Sequence, residues 1–290
     1  RYSLRNVSSV NLQCGQRVLA LDTPQIMGVL NVTPDSFSDG GQLISNGGVL
    51  HDRLLKRASQ MVADGSAILD IGGESTRPGA APVSLQEELD RVMGAVQLIA
   101  PRLDVILSID TSTPEVMREA AQAGAGLLND VRAFSREGAM AAAVASQLPV
   151  SLMHMSDEPH RMQEQTDYVD VVNDVKAFLA HRIIACRDAG IAKNQMMIDP
   201  GFGFGKTVAQ NYEMLRRLDE FASFDLPILV GVSRKSMIGA ITGRPASERV
   251  VPSAVLAVMA AAKGASVIRV HDVAETADAL AVWQATEGEL

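Results

Sequence analysis

Ile26-Met27-Gly28-Val29-Leu30-Asn31-Val32 runs directly into Thr33-Pro34-Asp35-Ser36-Phe37-Ser38-Asp39-Gly40-Gly41. The first part is apolar at successive positions, so both faces of an extended chain would be buried. That is how a strand inside a parallel sheet reads, whereas a half-exposed antiparallel strand alternates. The second part is polar, glycine-rich and broken by proline, so the strand ends in a loop. The same unit recurs. Further apolar runs occupy Ala67–Ile71, Val105–Ile109, Gly126–Leu128, Pro149–Met153, Gln195–Ile198, Pro227–Val230 and Ser266–Val270.

Amphipathic or alanine-rich stretches separate these runs and carry helix signals. Ser84-Leu85-Gln86-Glu87 has capping-box spacing. Thr113-Pro114-Glu115 sets an N-cap before a proline at the first helical position. Asp272 with Glu275 makes a similar start, and Tyr168–Gly190 is a long periodic segment with a glycine stop. Eight strand-then-helix cycles fit a single (β/α)8 TIM barrel, a fold of about 250 residues. An open doubly wound sheet is the alternative, but it commonly uses about five or six strands. Upstream, Tyr2–Thr23 places Gly15 between two alternating segments and reads as a β-hairpin capping the barrel bottom. Length alone allows one or two domains. With no composition break, the reading is one domain over 1–290, with the hairpin in 1–24 and the barrel in 25–290.

Of the 290 residues 47% are hydrophobic and only 4% aromatic, so aliphatic side chains must fill the core. A formal charge of −8 argues against nucleic acid or an anionic membrane as partner, and any anionic ligand needs a local basic cluster. Cys14 and Cys186 lie far apart without CxxC spacing, which speaks against a disulfide framework or a zinc site. No run reaches the ~20 apolar residues of a membrane span, and no signal core is visible. The chain begins at Arg1, so a few upstream residues are expected to be missing. A cytoplasmic protein is the default expectation.

Chemistry gathers where the strands end. Behind the eight runs come Asn31 with its loop, Gly72-Gly73-Glu74-Ser75-Thr76-Arg77-Pro78-Gly79, Asp110-Thr111, Asn129-Asp130, His154, Asp199-Pro200-Gly201-Phe202-Gly203-Phe204-Gly205-Lys206, Ser233-Arg234-Lys235 and Arg269-Val270-His271-Asp272. A TIM barrel brings all such ends to one face.

These segments also carry a resemblance. Met27–Gly41 and Asp70–Gly79 are similar to the two long signatures of the dihydropteroate synthase family. Asp199–Phe204, Gly231–Ser236 and Arg269–Val273 resemble its later motifs, in the family's order. The resemblance implies condensation of 6-hydroxymethyl-7,8-dihydropterin pyrophosphate with p-aminobenzoate through a cation-like pterin, with both compounds as partners, Mg2+ as cofactor and a homodimer. It assigns Asn31 to Mg2+, and Asp110, Asn129, Asp199 and Lys235 to the pterin, with apolar contact from Met153. Arg269 and His271 go to the pyrophosphate, Arg269 also facing the pterin. Phe37, Thr76, Arg77, Phe204 and Ser233 go to the p-aminobenzoate side. The reacting set would be Arg77, Asp110, Asp199, Lys235 and Arg269.

Without the resemblance, Asn31 could simply cap a strand, Asp110 could start a helix and the glycine-flanked loops could be solvated. Gly205-Lys206-Thr207 tempts a P-loop reading, but Pro200 stands where the motif needs glycine, leaving Lys206 a loop residue with a secondary chance of touching substrate. The chain also departs from the family at Ser156-Asp157-Glu158, Thr166, Pro252 and Arg132-Ala133-Phe134. Two rivals share part of the pattern: a methyltetrahydrofolate-dependent methyltransferase domain and a non-catalytic pterin-binding paralogue. Intact Asn31, Arg77, Lys235, Arg269 and His271 argue against the second.

Overall fold

The structure is a computed structural model and describes residues 10–33, 47–74, 83–158, 162–164 and 166–288. Strands β3 (Gln25–Asn31), β4 (Ile68–Gly72), β5 (Ile106–Asp110), β6 (Leu127–Asp130), β7 (Val150–Met153), β8 (Met196–Asp199), β9 (Leu229–Val230) and β10 (Val267–Val270) form one parallel sheet in the order β8-β7-β6-β5-β4-β3-β10-β9. A parallel bridge from Ile198 to Ile228 brings its two ends together. The sheet is therefore a barrel, and the doubly wound alternative is excluded. Every apolar run of the sequence contributes a strand. Pro227–Val230 contracts to two residues, with Ile228 left as an isolated bridge to Ile198 and Pro227 O accepting from the Ile198 amide across the closing seam.

Helices α1 (Gly47–Ala63), α2 (Leu85–Ile99), α3 (Pro114–Gln122), α4 (Ala139–Ser146), α5 (Val171–Ala189) and α6 (Val208–Arg216) alternate with the strands. Two helices, α7 (Ser236–Thr242) and α8 (Val250–Ala262), stand between β9 and β10, and α9 (Val273–Glu287) closes the chain. The sequence pattern suggested one helix there. Gly243, at φ 69°, ends the first and lets the second begin. Pro252 sits in the first turn of α8, where a missing N–H costs nothing.

The helix signals act in two different ways. Ser84 and Glu87 form the reciprocal capping box, and Gly190 ends α5 at φ 107°. Thr113 and Asp272 occupy cap positions but make no side-chain cap bond. Their side chains are committed elsewhere: Thr113 Oγ1 donates to Glu88, and both Asp272 oxygens face the Arg234 guanidinium.

A hairpin of β1 (Asn11–Cys14) and β2 (Arg17–Ala20) turns at Gly15. Its Leu12, Cys14, Leu19 and Leu21 pack on Met27, Ile68, Ile106, Leu127, Met197, Leu229 and Val267, the lowest inward-facing layer of the barrel. The bottom is thereby sealed with apolar side chains. The larger core lies between the barrel and its helices. Cys14 belongs to the first core and Cys186 to the second, and burial pushes their thiols up to about 12 and about 11. No helix among the described residues is long and apolar enough to cross a membrane.

Candidate active site

Side chains alternate in and out along each strand, so the position two residues beyond the apolar floor also faces inward. There the composition changes abruptly. Asp70, Ser108, Asn129, Ser151, Asp199 and Arg269 follow the floor, and all but Arg269 are fully or almost fully buried. Higher still, towards the open end, come Asn31, Gly72, Asp110, Met153 and His271. The barrel interior is apolar below and polar above, and the polar end is the C-terminal face where active sites of this fold sit.

Arg269 organises the polar part. Its Nε donates to Asp70 Oδ2 at 2.7 Å and its NH2 to Asp110 Oδ2 at 3.3 Å. Asp70 also accepts from Ser108 Oγ at 2.6 Å and from Asn129 Nδ2 at 3.2 Å. Gly72 keeps the neighbouring space open. A side chain there would lie 3.5 Å from the Asp110 carboxyl and 3.7 Å from Asn31 Oδ1. Asp110 is therefore a pocket residue, and the helix start after β5 is made by Thr113 instead.

Asp199 ends β8 and accepts from the Gly201 amide at 2.8 Å, fixing the turn that follows. In that turn Gly201, Gly203 and Gly205 all have positive φ. A methyl group on Gly201 would collide with His154 O at 1.9 Å, and one on Gly205 with Ser156 Oγ at 1.8 Å. The turn presents Phe204 beneath Lys235, whose Nζ lies 4.9 Å from the ring centroid and also bonds Phe202 O.

Ser233 and Lys235 flank Arg234, a non-glycine residue at φ 58°. Such a conformation persists only where the surroundings impose it. Ser253 Oγ accepts from the Arg234 amide, Arg249 donates to its carbonyl and Asp272 pairs with its guanidinium. Ser233 Oγ in turn meets His271 Nδ1 at 2.9 Å and its backbone amide at 3.1 Å.

Burial dominates the electrostatics. Desolvation, then the nearby Asp70, raise the Asp110 carboxyl, against the pull of Arg269. Burial also raises Asp199, opposed chiefly by Lys235. Lys235 is drawn down to about 8 by burial, with Asp199 pulling it back up. Two carboxyls whose ionised form is disfavoured by burial thus face two cations that restore part of it.

Asn31, Asp110, Asn129, Met153, Asp199, Phe204, Ser233, Lys235, Arg269 and His271 all lie at or near the C-terminal ends of the strands. Phe37, Thr76 and Arg77 lie outside the described residues. Lys206 is a loop residue, as expected. It is buried, and its Nζ reaches Gly201 O at 2.8 Å, Phe204 O at 3.0 Å and His154 Nδ1 at 2.9 Å. These bonds tie the glycine turn to His154 just beyond β7. Sequence reading missed Asp70, although one acid inside the apolar run Ala67–Ile71 was a signal, since an unpaired charge is not buried in a sheet. It also missed Glu88, which holds Thr111 and Thr113 at 2.5 Å each. Arg132 was quoted only as a departure; it clamps Glu158 at 2.7 Å, donates to Ser112 at 2.9 Å and approaches Glu74 at 3.9 Å.

A closed parallel barrel with paired acids and cations at the C-terminal ends of its strands has the layout of a TIM-barrel enzyme. The pterin binding enzyme family model matches residues 27–271. The dihydropteroate synthase of Escherichia coli (strain K12) is 51% identical over 271 residues, covering 92% of this chain and 93% of that protein. The structure of Yersinia pestis dihydropteroate synthase with a sulfonamide drug complex superposes with a TM-score of 0.90 at 50% identity, covering 96% of this chain and 99% of that one. Xanthomonas albilineans dihydropteroate synthase with 4-aminobenzoic acid gives 0.90 at 45% identity, covering 96% and 98%. The chain belongs to the dihydropteroate synthase family.

Proposed function

We propose that this chain is a dihydropteroate synthase, joining the methylene carbon of 6-hydroxymethyl-7,8-dihydropterin pyrophosphate to the amino nitrogen of p-aminobenzoate. The C–O bond to the diphosphate breaks, a C–N bond forms, the amine gives up a proton, and pyrophosphate and 7,8-dihydropteroate leave. The observation that carries this reading is the meeting of Asp110, Asn129, Asp199, Lys235 and Arg269 in one buried cup above an apolar floor.

Asp110, Asn129 and Asp199 accept from the ring's N–H and amino groups, Lys235 donates to its carbonyl edge, and Met153 supplies an apolar wall. The two acids hold the positive charge that develops as the leaving group departs. Arg269 and His271 stand beside the start of α9 and take the diphosphate, with Arg269 also touching the ring. Ser233 and Phe204 line the p-aminobenzoate side, completed by Phe37, Thr76 and Arg77. An aromatic amine is neutral and nucleophilic at ordinary pH, so the residues need only orient it.

Mg2+ belongs to this proposal. Asn31 offers one neutral oxygen at the mouth, and no cluster of three acidic or metal-binding side chains occurs among the described residues. That donor set fits a hard cation held mainly by diphosphate oxygens and water, which would neutralise the leaving group. A homodimer is proposed through α8, whose Val251, Val255 and Met259 form an exposed apolar stripe four residues apart. The cytoplasmic setting expected from the sequence goes with this reading. Pyrophosphate release, measured with and without p-aminobenzoate, tests it. Release that requires both compounds and yields dihydropteroate is expected. Release indifferent to the amine, or none, refutes it.

A further inference from the structure

We propose that Asp70 is a positioning residue: its buried carboxylate holds the Asn129 amide in one of its two orientations and so selects the ring edge the pocket accepts. The inference rests on the heterocycle-binding reading above. An asparagine amide turned by half a revolution exchanges oxygen for nitrogen with almost no change of shape, so hydrogen bonding must choose between the two. Asp70 makes that choice here. It is fully buried, on an inward position of β4 one layer below Gly72.

Its Oδ2 takes Asn129 Nδ2 at 3.2 Å and Arg269 Nε at 2.7 Å, and Ser108 donates to Oδ1 at 2.6 Å. Turning the Asn129 amide over would set its oxygen against the Asp70 carboxylate in a buried place, an oxygen facing an oxygen with no donor between them. Nδ2 therefore stays towards Asp70. Asn129 Oδ1 receives no hydrogen bond from any described residue, so an acceptor and the second N–H remain for a ligand, in fixed order. The complementary edge is an amino donor beside an acceptor ring nitrogen, the pairing by which asparagine also reads adenine. Asp70 itself lies beneath the ligand space and acts through Asn129 and Arg269.

The test is Asp70→Leu, similar in size but with no acceptor, assayed with the dihydropterin pyrophosphate and with its 2-deaminated analogue. The wild type should prefer the parent compound in kcat/KM by at least about tenfold. In the variant the preference should fall to within about twofold, with KM for p-aminobenzoate unchanged. Ser108→Ala retains the carboxylate and should keep the wild-type preference. An undiminished preference in folded Asp70→Leu overturns the proposal, as does an equal collapse in Ser108→Ala, which would mean general loosening. A wild type inactive on the parent compound would instead defeat the functional reading. Should Asp70→Leu fail to fold, the 15N-labelled Asn129 side chain of the wild type decides. One slowly exchanging N–H supports the inference, and rapid exchange of both overturns it.

Discussion

Burial moves Lys235 and Asp110 in opposite directions, and the two leave different signatures. With its ammonium drawn down to about 8, Lys235 loses charge as pH rises through that value, so kcat/KM should fall on the alkaline side. Lys235→Arg stays charged throughout. It should work more slowly but without that alkaline limb; a limb that survives unmoved belongs to another group. Asp110 speaks through stability. Its folded pKa is raised, so the folded state holds the proton more tightly than the unfolded chain does. The stability this gives is complete below the unfolded value of about 4 and is lost as pH climbs through the raised one. Unfolding titrations across that range should show a shallower slope for Asp110→Asn than for wild type. Equal slopes would remove Asp110 as the source. Ser151 gives the smallest case. Its Oγ is the one buried side-chain polar atom without a hydrogen-bond partner among the described residues. Ser151→Ala should therefore raise stability by about 1 kcal/mol in a denaturant melt, and a loss would show that the hydroxyl is satisfied.

Among the elements, the turn after β8 carries the heaviest constraint. Gly201 combines φ 75° with a carbonyl 1.9 Å from where a methyl would stand. Gly201→Ala should cost more than about 3 kcal/mol or prevent folding altogether, judged by soluble yield and thermal melts. A variant that melts like wild type would mean that the turn rearranges freely. Elements of this kind divide what the sequence revealed from what it hid. The eight apolar runs announced the strands because burial on both faces leaves a continuous mark, and the capping box and Gly190 announced helix ends because their partners are local. The partners of Lys206 were hidden because they come from a folded turn and from His154 just beyond β7, which no spacing rule reports. Arg132-Ala133-Phe134 looked like a mere departure. In three dimensions Ala133 and Phe134 both have positive φ, and Asp130 holds the turn by accepting from the Arg132 and Phe134 amides. The converging mouth residues were legible because a barrel fixes where strand ends go; Asp70, two positions short of such an end, was not.

For the molecule as a whole, the proposed dimer makes the stripe on α8 testable. Val255→Glu should shift sedimentation from dimer to monomer while leaving the barrel's circular dichroism intact. A wild type that sediments as a monomer would withdraw the interface. The hairpin beneath the barrel has a kinetic corollary. A well with a plugged base has one entrance, so whatever binds deepest must come in first. With the ring low and the amine above it, as proposed, entry is obligatory in sequence. Excess amine should trap the empty protein in a dead-end complex, and inhibition patterns against each reactant would reveal the queue.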